Sequence, residues 1–154
     1  MINKELIKRI EKKYEALGEN PETYLNGLIQ AKPINYWDYV EVDTLLSLQK
    51  PRTDYKDESI FIMYHQINEL LLKMILHEMD QISGEEHISA AAFIMRLGRI
   101  SRYFNVLSAS FTIMGDGMER QQYLDFRTSL APASGFQSAQ YRMIEIGSTE
   151  LINL

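Results

Sequence analysis

"DESIFIMYHQINELLLKMILHEMDQI", residues 57–82, decides the fold. Ile60, Tyr64, Ile67, Leu71 and Met74 form one apolar stripe along it; Phe61, His65, Leu72, Leu76 and Met79 form a second. A helix apolar on two sides is surrounded by neighbours, so this segment is expected to be the central helix of a bundle. Asp57 reads as its N-cap, and Glu58 as a first-turn acid matched to the positive end of the helix dipole.

C-terminal to it, Phe93, Leu97, Ile100, Phe104, Leu107, Phe111 and Met114 recur at alternating spacings of four and three, an unbroken bundle seam. Arg96, Arg99 and Arg102 lie off this seam and read as a solvated face rather than a basic binding patch. "MGDGM" (114–118) stops the helix with two glycines. A shorter helix from about Glu119 to Leu130 carries Tyr123, Phe126 and Arg127. The loop "LAPASGFQSAQYR" (130–142) follows, and a last helix is expected from near Gln137 to the final residue. N-terminal to the central segment, the pattern predicts an amphipathic helix from about 4 to 17, capped by Asn3 and closed by Gly18. It predicts further helices from Pro21 to about Gln30 and from about Asp38 to Gln49, the latter ended by Pro51. No stretch alternates as a strand does, so the fold class is all-α, a helical bundle.

The 154 residues suffice for one domain with a core. Hydrophobic content of 45% and charged content of 24% are those of a soluble globular chain. A net charge of -5 argues against a nucleic-acid surface. The absence of cysteine excludes disulfides, thiolate metal sites and cysteine nucleophiles. The first residues show no secretory apolar region, and no apolar run reaches membrane-spanning length. The last residues, "STELINL", are still apolar and periodic, which reads as a chain cut in mid-helix or one covered by a surface from elsewhere.

His65 follows Phe61 by four residues, so both share a helix face. Such a histidine is either satisfied by a backbone carbonyl or by Glu69, or is a neutral imidazole that accepts a hydrogen bond from a ligand. Arg127 follows Tyr123 by the same spacing. It is either a surface arginine packed over a ring, or a guanidinium fork for a carboxylate. His65 and His77 lie roughly 18 Å apart along the helix and about 120° around it, so they cannot share one ion. "LHEM" lacks the second histidine of a zincin motif, and His87 sits in a polar connector. Composition and spacing end there, at a helical bundle with one unusual loop.

In order, "DESIFIMYHQINELLLKMILHE", "YLDFR" and "LAPASGFQSAQYRMIE" closely resemble the N-terminal half of the tryptophan 2,3-dioxygenase family, and "YWDYVEVDTLLSLQ" resembles its preceding helix. The resemblance implies residues 1–35 as a helical extension and 36–154 as the distal-side part of a haem dioxygenase fold, truncated at its C-terminus. It implies a cytoplasmic homotetramer that uses haem b to insert O2 into L-tryptophan, giving N-formylkynurenine, the first step of the kynurenine route. By similarity His65 hydrogen-bonds the indole N–H, Phe61 packs between substrate and haem, and Arg127 clamps the carboxylate with help from Tyr123. Ser134 and Gly135 lie against the haem on its oxygen side. Tyr36, Tyr39 and Val40 enter the neighbouring subunit's site, with Val40 where leucine is more usual. The axial histidine of the family lies in its second half, so the 154 residues alone are expected to be inactive. Two other readings are a non-catalytic short paralogue serving as a binding or assembly module, and a related haem enzyme oxidising another indole. The resemblance implies no nucleic-acid or membrane partner.

Overall fold

The computed structural model describes residues 3–150. The chain divides into two compact units, Met1–Leu46 and Ser47–Leu154.

The first unit opens with α1 (Lys4–Ala16), where Asn3 Oδ1 accepts the Glu5 N–H at 2.9 Å. Gly18 follows at φ 73°, a left-handed closure suited to glycine. In α2 (Pro21–Gln30) Asn20 is the cap and proline occupies the first turn. Tyr14 stacks on Tyr24 with ring centres 4.2 Å apart, joining the two helices. Both helices match the sequence expectation. The helix expected over 38–49 does not form as one piece. Instead α3 (Tyr36–Tyr39) and α4 (Val42–Leu46) are separated at Glu41, whose φ is 54°. A left-handed residue ends a helix, and glutamate is not a residue whose presence announces one. No described residue of these four helices is buried.

The second unit is organised by α5 (Lys56–Ser83), 28 residues long. Asp57 is not its N-cap: Lys56 is already helical and Tyr55 holds the cap position without a side-chain bond. Glu58 is buried instead of facing solvent. Its carboxylate accepts the Arg52 and Thr53 backbone N–H groups, each at 2.8 Å, and the Thr53 hydroxyl. Burial pushes the Glu58 carboxyl up, but these three bonds and the Arg52 charge outweigh it and hold the group below its ordinary value. A depressed carboxylate contributes stability above its unfolded pKa, about 4.3, and loses it as pH falls through the lower folded value. Glu58→Gln is therefore expected to cost about 1–3 kcal/mol at neutral pH. Its urea midpoint should also fall less steeply than that of the parent chain below about pH 4, as a titration series would show.

Packed along α5 is α6 (Ala90–Gly115), capped by Ser89 through the Ala92 N–H. Leu72, Ile75 and Ile144 are buried at the centre, with Leu76, Met79, Ile100, Tyr103 and Leu107 packed around them. Only a minor part of the predicted seam is thus used. Ile100 and Leu107 reach this core, whereas Phe93, Leu97, Phe104 and Phe111 remain exposed. Likewise Tyr64 and Leu72 are buried while Ile67 and Met74 stay exposed. α6, α7 and α8 all pack on α5, yet these two stripe positions are left uncovered.

The arginines also differ from expectation. Arg96 bonds Gln81 and Glu85 and lies 4.0 Å from Glu78; Arg99 donates to Glu78 Oε1 at 3.1 Å. They face α5, where buried Glu78 supplies the opposite charge. Arg102 is exposed, as predicted.

α6 ends at Gly115, where the sequence placed its stop. Gly117 is required in the turn that follows, because an added Cβ would sit 2.5 Å from the Ile113 carbonyl oxygen. Next come α7 (Arg120–Phe126) and a 3-10 turn, Arg127–Leu130. A second such turn, Gly135–Gln137, precedes α8 (Ala139–Gly147). The last helix therefore starts two residues later than predicted and stops at Gly147. Of the apolar tail, residues 151–154 lie outside the described residues. Among the described residues there is no strand, and no helix is long and apolar enough to cross a membrane.

Candidate functional site

The middle of α5 presents Phe61 and His65 on one face. His65 Nδ1 lies 2.8 Å from the Phe61 carbonyl oxygen. A carbonyl can only accept, so Nδ1 carries the proton in this contact and Nε2 of the neutral ring is left as an acceptor. The Phe61 ring lies 4.1 Å from the imidazole centre. The imidazole is thus satisfied by a backbone carbonyl, one of the two partners its spacing allowed. Glu69 is not the histidine's partner. Gln140, from the first turn of α8, donates its side-chain amide to both the Glu69 carbonyl and its carboxylate, each at 2.8 Å.

The short helix α7 brings a second set of rings to Phe61. Phe126 is fully buried and meets Phe61 edge-on at 5.6 Å and Tyr123 at 5.7 Å. Tyr123 lies 6.2 Å from Phe61, so the three rings form a mutual cluster. The Arg127 guanidinium sits over the Tyr123 ring, 5.6 Å from its centre, a cation–π contact. Arg127 is exposed and makes no ion pair among the described residues. A chain of three side-chain contacts thus links imidazole to guanidinium: His65 to Phe61, Phe61 to Tyr123, Tyr123 to Arg127.

A cavity of about 470 Å³ opens beside His65. Phe61, His65 and Glu69 form its helical wall, and the segment between Leu130 and Ala139 covers it, contributing Ser134, Gly135, Gln137 and Ser138. That cover is held by its own side chains. Ser134 Oγ accepts the Phe136 N–H, and Gln137 Oε1 accepts the Ser134 N–H. The Ala131–Pro132 peptide is cis. At Gly135 an added Cβ would meet nothing within 4 Å.

Phe61, His65, Ser134 and Gly135 therefore share one cavity. Tyr123 and Arg127 do not line it; they continue the ring cluster from Phe61. Tyr36, Tyr39 and Val40 belong to the other unit and are exposed. Sequence reasoning missed Glu69 and Gln140 as a pair. The signal available was Glu69 on the His65 face and an amide just past the loop, but only the fold joins positions 71 residues apart. His77 and His87 are exposed. Among the described residues no group of three or more histidine, cysteine or acidic side chains is placed to hold a metal ion.

Comparison with known proteins matches the chain to one family. The family model described as tryptophan 2,3-dioxygenase matches residues 26–150. Tryptophan 2,3-dioxygenase of Bacillus anthracis is 42% identical over 114 residues, covering 73% of this chain and 40% of that protein. The protein of the same name from Ruegeria sp. (strain TM1040) is 39% identical over 116 residues, covering 75% and 41%. Tryptophan 2,3-dioxygenase 2 of Ralstonia nicotianae is 39% identical over 129 residues, covering 75% and 34%. The chain thus spans about two fifths or less of the length of the curated relatives it matches.

Proposed function

The chain belongs to the tryptophan 2,3-dioxygenase family, and on that premise we propose that it supplies the substrate-side wall of a haem dioxygenase site. The reaction is insertion of O2 across the indole C2–C3 bond of L-tryptophan to give N-formylkynurenine. The observation that carries this reading is the His65–Phe61 pair at the cavity: His65 Nδ1 lies 2.8 Å from the Phe61 carbonyl oxygen, a contact that in a neutral imidazole leaves Nε2 as the acceptor.

An indole is flat and apolar with a single N–H donor. His65 Nε2 accepts that proton in a hydrogen bond, and Phe61 packs against the ring system. Arg127 leaves the Tyr123 ring to take the substrate carboxylate in a two-pronged bond, and the Tyr123 hydroxyl adds a third. Tyr36, Tyr39 and Val40 of a neighbouring copy cover the indole, within a cytoplasmic homotetramer. Val40 leaves more room there than leucine would.

Haem fits the oxygen-side half of this arrangement. Ser134 and Gly135 are small, the space beyond Gly135 is open, and Phe61 offers a flat apolar wall. Bound there, haem supplies the activation of O2. His65 would face the substrate, and His77 and His87 are exposed; by resemblance, the histidine that would hold the haem iron belongs to the family's second half, while Phe61, Ser134 and Gly135 would line the haem here. The 154-residue chain by itself is expected to form no N-formylkynurenine; formation of that product by the purified chain would overturn this part.

The role of His65 is tested by comparing L-tryptophan with its 1-methyl derivative, which lacks the indole N–H. The chain is expected to bind the methylated ligand about tenfold more weakly, and His65→Ala to bind the two alike. Equal affinities in the parent chain would remove the basis for the assignment.

A further inference from the structure

The two helices that carry the proposed site start side by side, and neither is capped by its own residue. Tyr55 before α5 and Glu119 before α7 make no side-chain capping bond. Each helix start is served by the other helix instead. Asp57 Oδ2, in the first turn of α5, accepts the Glu119 N–H at 2.7 Å. Gln122 Oε1, in the first turn of α7, accepts the Asp57 N–H at 3.3 Å. Gln122 then donates its amide to Glu119 Oε2 at 2.6 Å, which closes a ring of three residues. The helices are joined across 62 and 65 positions of sequence.

Where this ring lies gives it a consequence. Asp57 is one turn before Phe61 and two before His65. Gln122 is the residue before Tyr123 and lies five before Arg127. α7 has seven residues, too few to hold helical structure by themselves, and it follows a turn built on Gly115 and Gly117. Phe126 anchors α7 by burial, but apolar contact is non-directional. Directed hydrogen bonds between the two helix starts set the register that burial leaves free.

We infer that Asp57 and Gln122 are positioning residues that fix α7, and with it the 3-10 turn that begins at Arg127, in register with the histidine-bearing helix. The register lock stands on these bonds alone; its effect on ligand binding rests on the carboxylate clamp proposed above.

Amide hydrogen exchange and ligand preference on the whole chain test both parts. Asp57→Ala and Gln122→Ala are expected to speed exchange of the Glu119 and Tyr123 amides about tenfold, as loss of a cap does, with the α6 amides unchanged. Asp57→Asn, which keeps an acceptor oxygen, should restore slow exchange. In the alanine variants the preference for L-tryptophan over tryptamine, the same ring system without a carboxylate, should fall about tenfold while tryptamine affinity holds. Unaltered α7 exchange in both alanine variants would overturn the lock. Equal weakening of both ligands would reduce the ring to general structural support and overturn its positioning role. If the parent chain shows no preference and Arg127→Ala changes nothing, the clamp fails while the exchange data still decide the lock. Should Asp57→Ala not fold, Gln122→Ala carries the comparison.

Discussion

Glu78→Ala is expected to lower the unfolding free energy by about 3–5 kcal/mol, the range seen when one partner of a buried charge pair is removed. Glu78 is 4% exposed and faces two guanidinium groups. Without it, Arg99 has exposure enough to rehydrate, but the Arg96 side chain is only 12% exposed. Arg96 keeps Gln81 and Glu85, but its Nε and Glu78 Oε2 already lack hydrogen-bond partners among the described residues. A domain of this size holds on the order of 5–15 kcal/mol in total, so the loss is a large fraction of the whole and should shift the denaturant midpoint plainly. Arg102→Ala, at an exposed position of the same helix, should stay within about 0.5 kcal/mol of the parent chain. Denaturant midpoints of the two variants make the comparison. A Glu78→Ala midpoint close to that of Arg102→Ala would mean that the α5–α6 charge network contributes nothing.

Arg127→Ala should lower affinity for L-tryptophan about 100-fold and leave the unfolding midpoint where it was. The separation of the two effects follows from position. Arg127 is exposed, lies over the Tyr123 ring and joins no ion pair among the described residues. Its removal therefore strips little from the fold, while a substrate carboxylate would lose its bidentate partner. Arg127→Lys keeps the charge without the planar fork and should recover only part of the loss. Isothermal titration of the three proteins with L-tryptophan decides this. Undiminished affinity in the alanine variant would place the carboxylate elsewhere.

Much of this architecture could be read before any coordinates, for identifiable reasons. Helices whose ends carry ordinary signals are legible in the sequence: Asn3 and Gly18 around α1, Pro21 in α2, Gly115 closing α6. The break at Glu41 was not, because a left-handed glutamate carries no compositional mark. Which side of a helix a neighbour occupies was also hidden. Periodicity placed Arg96 and Arg99 off the apolar seam, but only the docking of α5 turns that face inward toward Glu78. For the same reason Glu58 read as a first-turn acid and is instead a buried acceptor, and Asp57 read as the cap of its own helix and serves the start of another. At the candidate site, spacing alone placed Phe61 with His65 and Tyr123 with Arg127. The resemblance to a known family joined the two pairs into one site. The structure joins them through the Phe61–Tyr123 contact, which no local pattern encodes.

The most direct test follows His65 and Arg127 at once. Side-chain nitrogen resonances of both residues are recorded while L-tryptophan is added to the whole chain. The proposal predicts that His65 Nε2 and the Arg127 guanidinium shift together on a single binding curve, and that tryptamine moves only the imidazole. Two separate curves, or an Arg127 signal indifferent to the carboxylate, would contradict it.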